Sequence, residues 1–480
     1  MRPILKKINV LILSAALMCC ILPVRVSASY DISGTCQVQV DAGTVYTVKI
    51  LDNNYDNNTY YSLRDIAMIL KDTDKAYSLS VTKNAVALNL GQTYKPVGGE
   101  NVSWDSPISL NISLLRNEFK INGEKAYYYT LIAMVPSGYY DCFMMAADLA
   151  MILDMDIAVS DDGVLQINTQ EPFSVSPASL EQAGYFYGVN SVLAGDVTTG
   201  EIYYKYQSET AYPIASVTKL MTCLLVMDAI SEGRLTMEEQ VVVSDAAYAL
   251  SISGDGVVAL EVGGMVTVQD LLIGALLPSS NECALCLAEA VAGSEEAFVQ
   301  MMNQRAKELG LSQAVFYNCN GLPAFTKDPV PVKHQNRMSA EDMFQLVSYL
   351  LKVYPQVTDI TSLKSASLES LGVVVNNTNP LLYNMPGVTG LKTGTTNKAG
   401  ACLVTSLTAD DGNTEHDLVV VVLGTEDSSE RGRVSALLAK YALDVFYNDV
   451  DKTEIPDQPQ DMPTSAEEMV ECILRTAIKH

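Results

Sequence analysis

Hydrophobic positions along the chain predict a core of buried helices and strands in its second half. The run Leu220-Met221-Thr222-Cys223-Leu224-Leu225-Val226-Met227 is apolar on nearly every side and ends near Glu232-Gly233, so it predicts a buried helix too short to span a membrane. Val268 to Leu277 carries a helical pattern that Pro278 stops, and Glu282 to Ala292 resumes one, which leaves Ser279 and Asn281 in the turn between two helices. Further on, Gly390 to Thr396, Ala401 to Leu407 and Leu418 to Gly424 read as strands, with Asp410-Asp411-Gly412-Asn413 turning the second into the third. Together they predict an antiparallel meander with a buried central face.

Residues 30–170 follow a shorter pattern and predict a separate β-rich domain with an internal repeat, since 480 residues exceed what one such domain needs. Asp65-Ile66-Ala67-Met68-Ile69-Leu70 recurs as Asp148-Leu149-Ala150-Met151-Ile152-Leu153, 83 positions later. Each copy reads as a strand, a short helix and then alternating strands such as Ala87-Leu88-Asn89-Leu90 or Val164-Leu165-Gln166-Ile167. Residues 171–181 predict a Pro- and Ser-containing linker to a domain over 182–450; 451–464 predict an acidic, Pro-bearing linker, and 465–480 a short amphipathic helix.

The first residues predict a location outside the cytoplasm. Arg2, Lys6 and Lys7 precede an apolar stretch from Ile8 to Leu22, and Val26-Ser27-Ala28 offers small residues before a cut ahead of Ser29, so 1–28 predicts a secretory signal peptide. Cys19-Cys20 invites a lipoprotein reading, but Met18 is not the small residue that such processing prefers. Losing Arg2, Lys6, Lys7 and Arg25 takes the formal charge from −25 to −29, which disfavours nucleic acid as a partner. The final helix carries three glutamates against one arginine and one lysine, so acidic lipids would attract it weakly. Eight cysteines beyond the signal are too few for a disulfide scaffold in so long a chain. Cys223, Cys283, Cys286 and Cys402 sit within apolar patterns and read as small buried thiols. Cys283-Ala284-Leu285-Cys286 has redox or zinc-like spacing, but no second pair follows and the only histidines are His334, His416 and His480. The sequence predicts no metal and no cofactor.

Three short motifs supply the chemistry: Ser216-Val217-Thr218-Lys219, Ser279-Ser280-Asn281 and Lys392-Thr393-Gly394, with starts 63 and 113 residues apart. A serine hydroxyl is a poor nucleophile without a base in reach, and a lysine one helical turn away serves if its amine is neutral. Burial in the apolar helix, helped by a second nearby cation, would lower the Lys219 pKa in that direction. Taken alone, the first motif also reads as a capped helix start with a solvated lysine, the second as a Ser/Asn cap and the third as a solvated turn. Their order and setting favour a serine hydrolase with a lysine base. Gly394 would let a peptide approach the strand backbone closely, and Lys392 and Thr393 would take an anionic substrate end.

Residues from about Val189 to Tyr447 resemble the serine-type D-alanyl-D-alanine carboxypeptidases, the low-molecular-mass penicillin-binding proteins that trim peptidoglycan stem peptides. The three triplets are ones that penicillin-binding proteins and β-lactamases share. The likeness extends to Asp196-Val197-Thr198-Thr199-Gly200, Tyr212-Pro213-Ile214-Ala215, Asn320-Gly321-Leu322-Pro323, Ser339-Ala340-Glu341-Asp342-Met343, Asn377-Thr378-Asn379, Gly387-Val388-Thr389-Gly390-Leu391 and Ala399-Gly400. The resemblance implies an α/β penicillin-binding and β-lactamase-like fold: an antiparallel sheet flanked by helices plus a helical subdomain, with the site in the cleft between them. It implies Ser216 as nucleophile, Lys219 as its base, Ser279 as proton relay and Asn281 as holder of the acyl donor. Lys392 and Thr393 would bind the terminal carboxylate, and the N–H groups of Ser216 and Thr395 would form the oxyanion hole. Peptidoglycan stem peptides would be the substrate, β-lactam antibiotics covalent inhibitors, and the cell wall or outer face of the cytoplasmic membrane the place of action. The 30–168 region resembles the secreted repeat named for the N-terminal domain of copper amine oxidases, although it contains no histidine for copper.

Three other functions compete. A serine β-lactamase of the commonest class needs a Glu-x-x-x-Asn between the second and third motifs, and none is present: Glu308 is followed four positions on by Ser312, and Glu341 by Gln345. A silent wall-binding protein is opposed by the intact Ser216, Lys219, Ser279, Asn281 and Lys392. An endopeptidase that cuts cross-links is not separated by sequence from a carboxypeptidase.

Overall fold

The computed structural model describes residues 34–53, 58–101, 112–114, 119–126, 128, 130–136, 138–160, 163–175, 188–325 and 333–447. The signal segment, the acidic linker and the final helix lie outside these, as does the end of the 171–181 linker. The chain divides into two compact units, one of residues up to 123 with 129–172, the other of 124–128 with 173 onward.

The first unit contains an eight-stranded sheet. Both copies of the repeat enter it the same way, strand Asn58–Ser62 leading into helix Leu63–Leu70 and strand Tyr140–Met145 into helix Ala146–Leu153. The two strands pair antiparallel, Ser62 with Phe143, Tyr61 with Met144 and Tyr60 with Met145. With a repeat of 83, Tyr61 therefore faces its own equivalent, and a local two-fold relates the copies. The helices bury Ile66, Leu70, Leu149 and Leu153, and Ser62 caps the first by accepting from Asp65 N at 3.1 Å. Lys49 Nζ lies 2.6 Å from Asp65 Oδ1, both fully buried.

The second unit is built on a five-stranded sheet in the order Glu201–Tyr206, Ser191–Asp196, Glu415–Thr425, Gly400–Asp410, Val388–Thr396, every neighbouring pair antiparallel. Its central strand buries Val419 to Leu423 without alternation, the pattern of a strand covered on both faces; helices Ala340–Val353 and Ser428–Phe446 pack against it. A helical region of Lys219–Ser231, Val268–Leu276, Asn281–Ala292 and Glu295–Glu308 shares one apolar core. Cys223, Cys283, Cys286 and Cys402 are buried in it, and burial pushes the Cys223 thiol up to about 12. Strand Val388–Thr396 ends the sheet, leaving one edge unpaired by the others.

Candidate active site

A 3-10 turn, Ala215–Thr218, delivers Ser216 to the start of helix Lys219–Ser231. Ala215 takes a left-handed φ of +48°, and two glycines fit closely around the turn. A Cβ on Gly321 would lie 1.9 Å from Ala215 O, and one on Gly394 would lie 2.8 Å from Ser216 N and 3.0 Å from both Ile214 O and Val217 N. Gly394 therefore serves first to let the edge strand press against the nucleophile's own backbone, a nearer need than the approach of a peptide. Asn336, fully buried, locks the turn by accepting Ile214 N on its backbone carbonyl at 3.1 Å and donating its amide to Thr218 Oγ1 at 3.0 Å and Asn318 O at 2.9 Å.

Lys219 extends from the first residue of its helix into the middle of this arrangement. Its Nζ lies 2.9 Å from Ser216 Oγ, 2.8 Å from Asn281 Oδ1 and 2.9 Å from Asn320 O. A neutral amine has two N–H donors and one lone pair. The two carbonyl oxygens take the donors, and the lone pair is left for the serine hydroxyl. Burial brings the Lys219 pKa down to about 7, while Cys319, Glu282 and Cys283 pull the other way.

The second motif divides its work. Ser279 sits half-buried in the turn with φ +72°. Ser280 is the helix cap, accepting from Cys283 N at 3.0 Å. Asn281 opens the helix and donates its Nδ2 to Asp255 O at 2.9 Å while its Oδ1 receives Lys219.

On the edge strand, Lys392 is fully buried and donates to Thr393 O at 3.1 Å. Burial first, and then the Lys219 and Arg431 cations, hold it well below the ordinary lysine range. The lowering of Lys219 therefore comes from burial and not from the second cation that the sequence led us to expect; the repulsion between the two lysines falls on Lys392. Thr393 Oγ1 lies 2.5 Å from Thr378 Oγ1, and Thr395 is exposed. Arg431, from helix Ser428–Phe446, donates to Thr395 Oγ1 at 3.3 Å and reaches Gly394 O at 3.5 Å. An approaching carboxylate would add negative charge beside Lys392, which has no ion-pair partner among the described residues.

Four contributors carried no assigned role in the sequence reading. Asn320, Asn336, Arg431 and Glu282 act through contacts formed across loops or between distant elements. Asn320-Gly321 gave the one available signal, as part of the wider resemblance.

The fold and this geometry define an active-site serine paired with a lysine in place of a histidine. The family model described as D-alanyl-D-alanine carboxypeptidase matches residues 187–427, and the chain belongs to that family. It is similar to D-alanyl-D-alanine carboxypeptidase DacF of Bacillus subtilis (strain 168), 34% identical over 253 residues that make up 52% of this chain and 60% of the relative. It is also similar to DacD of Escherichia coli (strain K12), 31% identical over 279 residues, 57% of this chain and 66% of the relative. Among solved structures, Penicillin-Binding Protein D2 from Listeria monocytogenes, in its ampicillin-bound form, is 28% identical, with 53% of this chain and 97% of that chain covered at a TM-score of 0.45. The match thus spans less than two thirds of the length of either carboxypeptidase relative.

Proposed function

We propose that this protein is a serine-type D-alanyl-D-alanine carboxypeptidase that removes the terminal D-alanine from peptidoglycan stem peptides. The observation that carries the reading is the buried Lys219 amine, 2.9 Å from Ser216 Oγ and held at a pKa of about 7, with both its N–H groups directed to carbonyl oxygens. A peptide laid along the open edge of Val388–Thr396 would gain main-chain hydrogen bonds as an added strand. Its C-terminal carboxylate would meet Lys392 and Thr393. Ser216 Oγ then attacks the penultimate D-alanine carbonyl as Lys219 takes the hydroxyl proton. The N–H groups of Ser216 and Thr395 stabilise the oxyanion. The C–N bond breaks as Ser279 passes a proton to the departing D-alanine amine, and water hydrolyses the remaining ester. Penicillins would acylate the same serine. The signal segment at 1–28 supports action outside the cytoplasmic membrane, at the cell wall; among the described residues, no helix is long and apolar enough to cross a membrane.

The test is D-alanine release from a synthetic peptide ending in Lys-D-Ala-D-Ala, with Ser216→Ala as control. Release by the wild type alone is expected. A folded wild type that releases none overturns the reading, and cleavage of cross-linked peptide would then identify an endopeptidase.

A further inference from the structure

Glu282 follows Asn281 in the same helix and has no part in the steps above, yet it is fully buried. Its Oε1 accepts the backbone N–H of Val257 at 2.9 Å and that of Val258, while its Oε2 is buried without a hydrogen-bond partner among the described residues. Those two amides belong to the loop between residues 251 and 258, which also supplies Asp255 O to the Asn281 amide. The loop is tightly folded: Gly256 N donates to Ser253 O at 3.2 Å, and a Cβ on Gly256 would lie 2.0 Å from Ser251 O. Of the loop's apolar side chains, Ile252 and Val257 are 66% and 49% exposed, and Val258 alone packs into the core. The carboxylate, bonded to two of its amides, is the polar anchor beside it.

An amide side chain has an accepting end and a donating end, and Lys219 needs the accepting one. The Asp255 carbonyl selects that orientation by taking the Nδ2 donor. We propose that Glu282 is a positioning residue for Lys219: it fixes the loop, the loop's Asp255 carbonyl fixes the Asn281 amide, and the amide oxygen fixes the lysine amine beside Ser216. This rests on the carboxypeptidase reading of the site. Beyond geometry, the Glu282 charge also bears on Lys219. The titratable groups facing that amine are Glu282 and Cys283 from helix Asn281–Ala292 and Cys319 from the loop before Asn320, with Lys392 on the edge strand. Of these, Glu282 is the carboxylate that favours the protonated amine.

Full-length wild type, Glu282→Gln, Glu282→Asp and Glu282→Ala are compared for D-alanine release across pH, with thermal melts to confirm folding. Glu282→Gln, nearly isosteric, is expected to move the acid limb of kcat/KM to lower pH by roughly half a unit or more and to lower kcat more than it raises KM. Glu282→Asp keeps the charge and the limb at its wild-type position. Glu282→Ala is expected to lose roughly tenfold or more in kcat. A folded Glu282→Gln with an unmoved limb overturns the proposal, whether the rate is unchanged or uniformly lowered, because a scaffold role alone would not move the limb. If the wild type releases no D-alanine, the carboxypeptidase reading falls by itself, and the same limb is read in penicillin acylation of Ser216. No acylation there would overturn both.

Discussion

Replacing Gly394 by alanine tests the packing of the site most directly. The new methyl carbon would sit 2.8 Å from Ser216 N and 3.0 Å from Ile214 O and Val217 N, where ordinary contacts begin at about 3.4 Å. All three are backbone atoms, so no side chain can swing aside; the edge strand and the nucleophile turn must part by roughly half an ångström. Overpacking of this kind costs about 1–3 kcal/mol of stability. The functional cost is larger in proportion, because the gap opens between the two N–H groups assigned to the oxyanion hole, and loss of one such donor costs roughly a hundredfold or more in kcat. D-alanine release and the rate of acylation by a fluorescent penicillin should both fall by about two orders of magnitude, while a melt shows a folded protein with a lowered Tm. A Gly394→Ala variant with activity within about threefold of wild type would refute the argument that strand and turn are in registry-critical contact.

Other expectations follow from the same geometry. If Lys219 must be neutral to act, kcat/KM should rise with pH through about 7, and a flat profile across that range would remove the lysine from the role of base. Because its folded pKa lies below the ordinary 10.5, the unfolded chain binds the extra proton between those values; the group's destabilising effect is full below about pH 7 and is relieved as pH climbs toward 10.5. Melts of wild type should show that increment, and melts of Lys219→Met should lack it. Arg431→Ala removes the donors to Thr395 Oγ1 and Gly394 O and is expected to slow D-alanine release by roughly tenfold or more; unchanged kinetics would mean the strand end is held without it. In the N-terminal unit, Lys49→Met leaves Asp65 buried without its ion-pair partner and should cost about 3–5 kcal/mol in denaturant unfolding of that unit.

The helix carrying Lys219 was legible because its apolar residues are continuous and local, and so was the meander, whose strands follow one another with a turn of recognisable chemistry between them. The repeated Asp-x-Ala-Met-Ile-Leu segment likewise marked two strand-helix units. Pairing of their strands about Tyr61 and Met144 had no signature in either copy, since register is decided by the neighbouring strand. In the site, Ser216, Lys219 and Asn281 stood out because their residue types and spacing have chemical meaning. The Asn320 carbonyl that completes the lysine's hydrogen bonding lies 101 positions from it and is a backbone atom, which no residue identity reveals. Arg431 enters from a helix whose pattern explains only its packing. The glycine of the third motif was visible, but the atoms that demand it are 177 residues or more upstream.

Gly321 and Gly394 press on the nucleophile turn from two elements, and Asn336 ties it down from a third. Such a turn has almost no freedom to drift under selection. On the proposed function, alleles that blunt attack by an antibiotic while sparing the peptide substrate would have to arise elsewhere, in surfaces that yield without unseating Ser216. Within the segment from 251 to 258, whose Asp255 carbonyl holds the Asn281 amide, the main chain shares that constraint, and it is the exposed side chains of Ile252 and Val257 that are left free to vary.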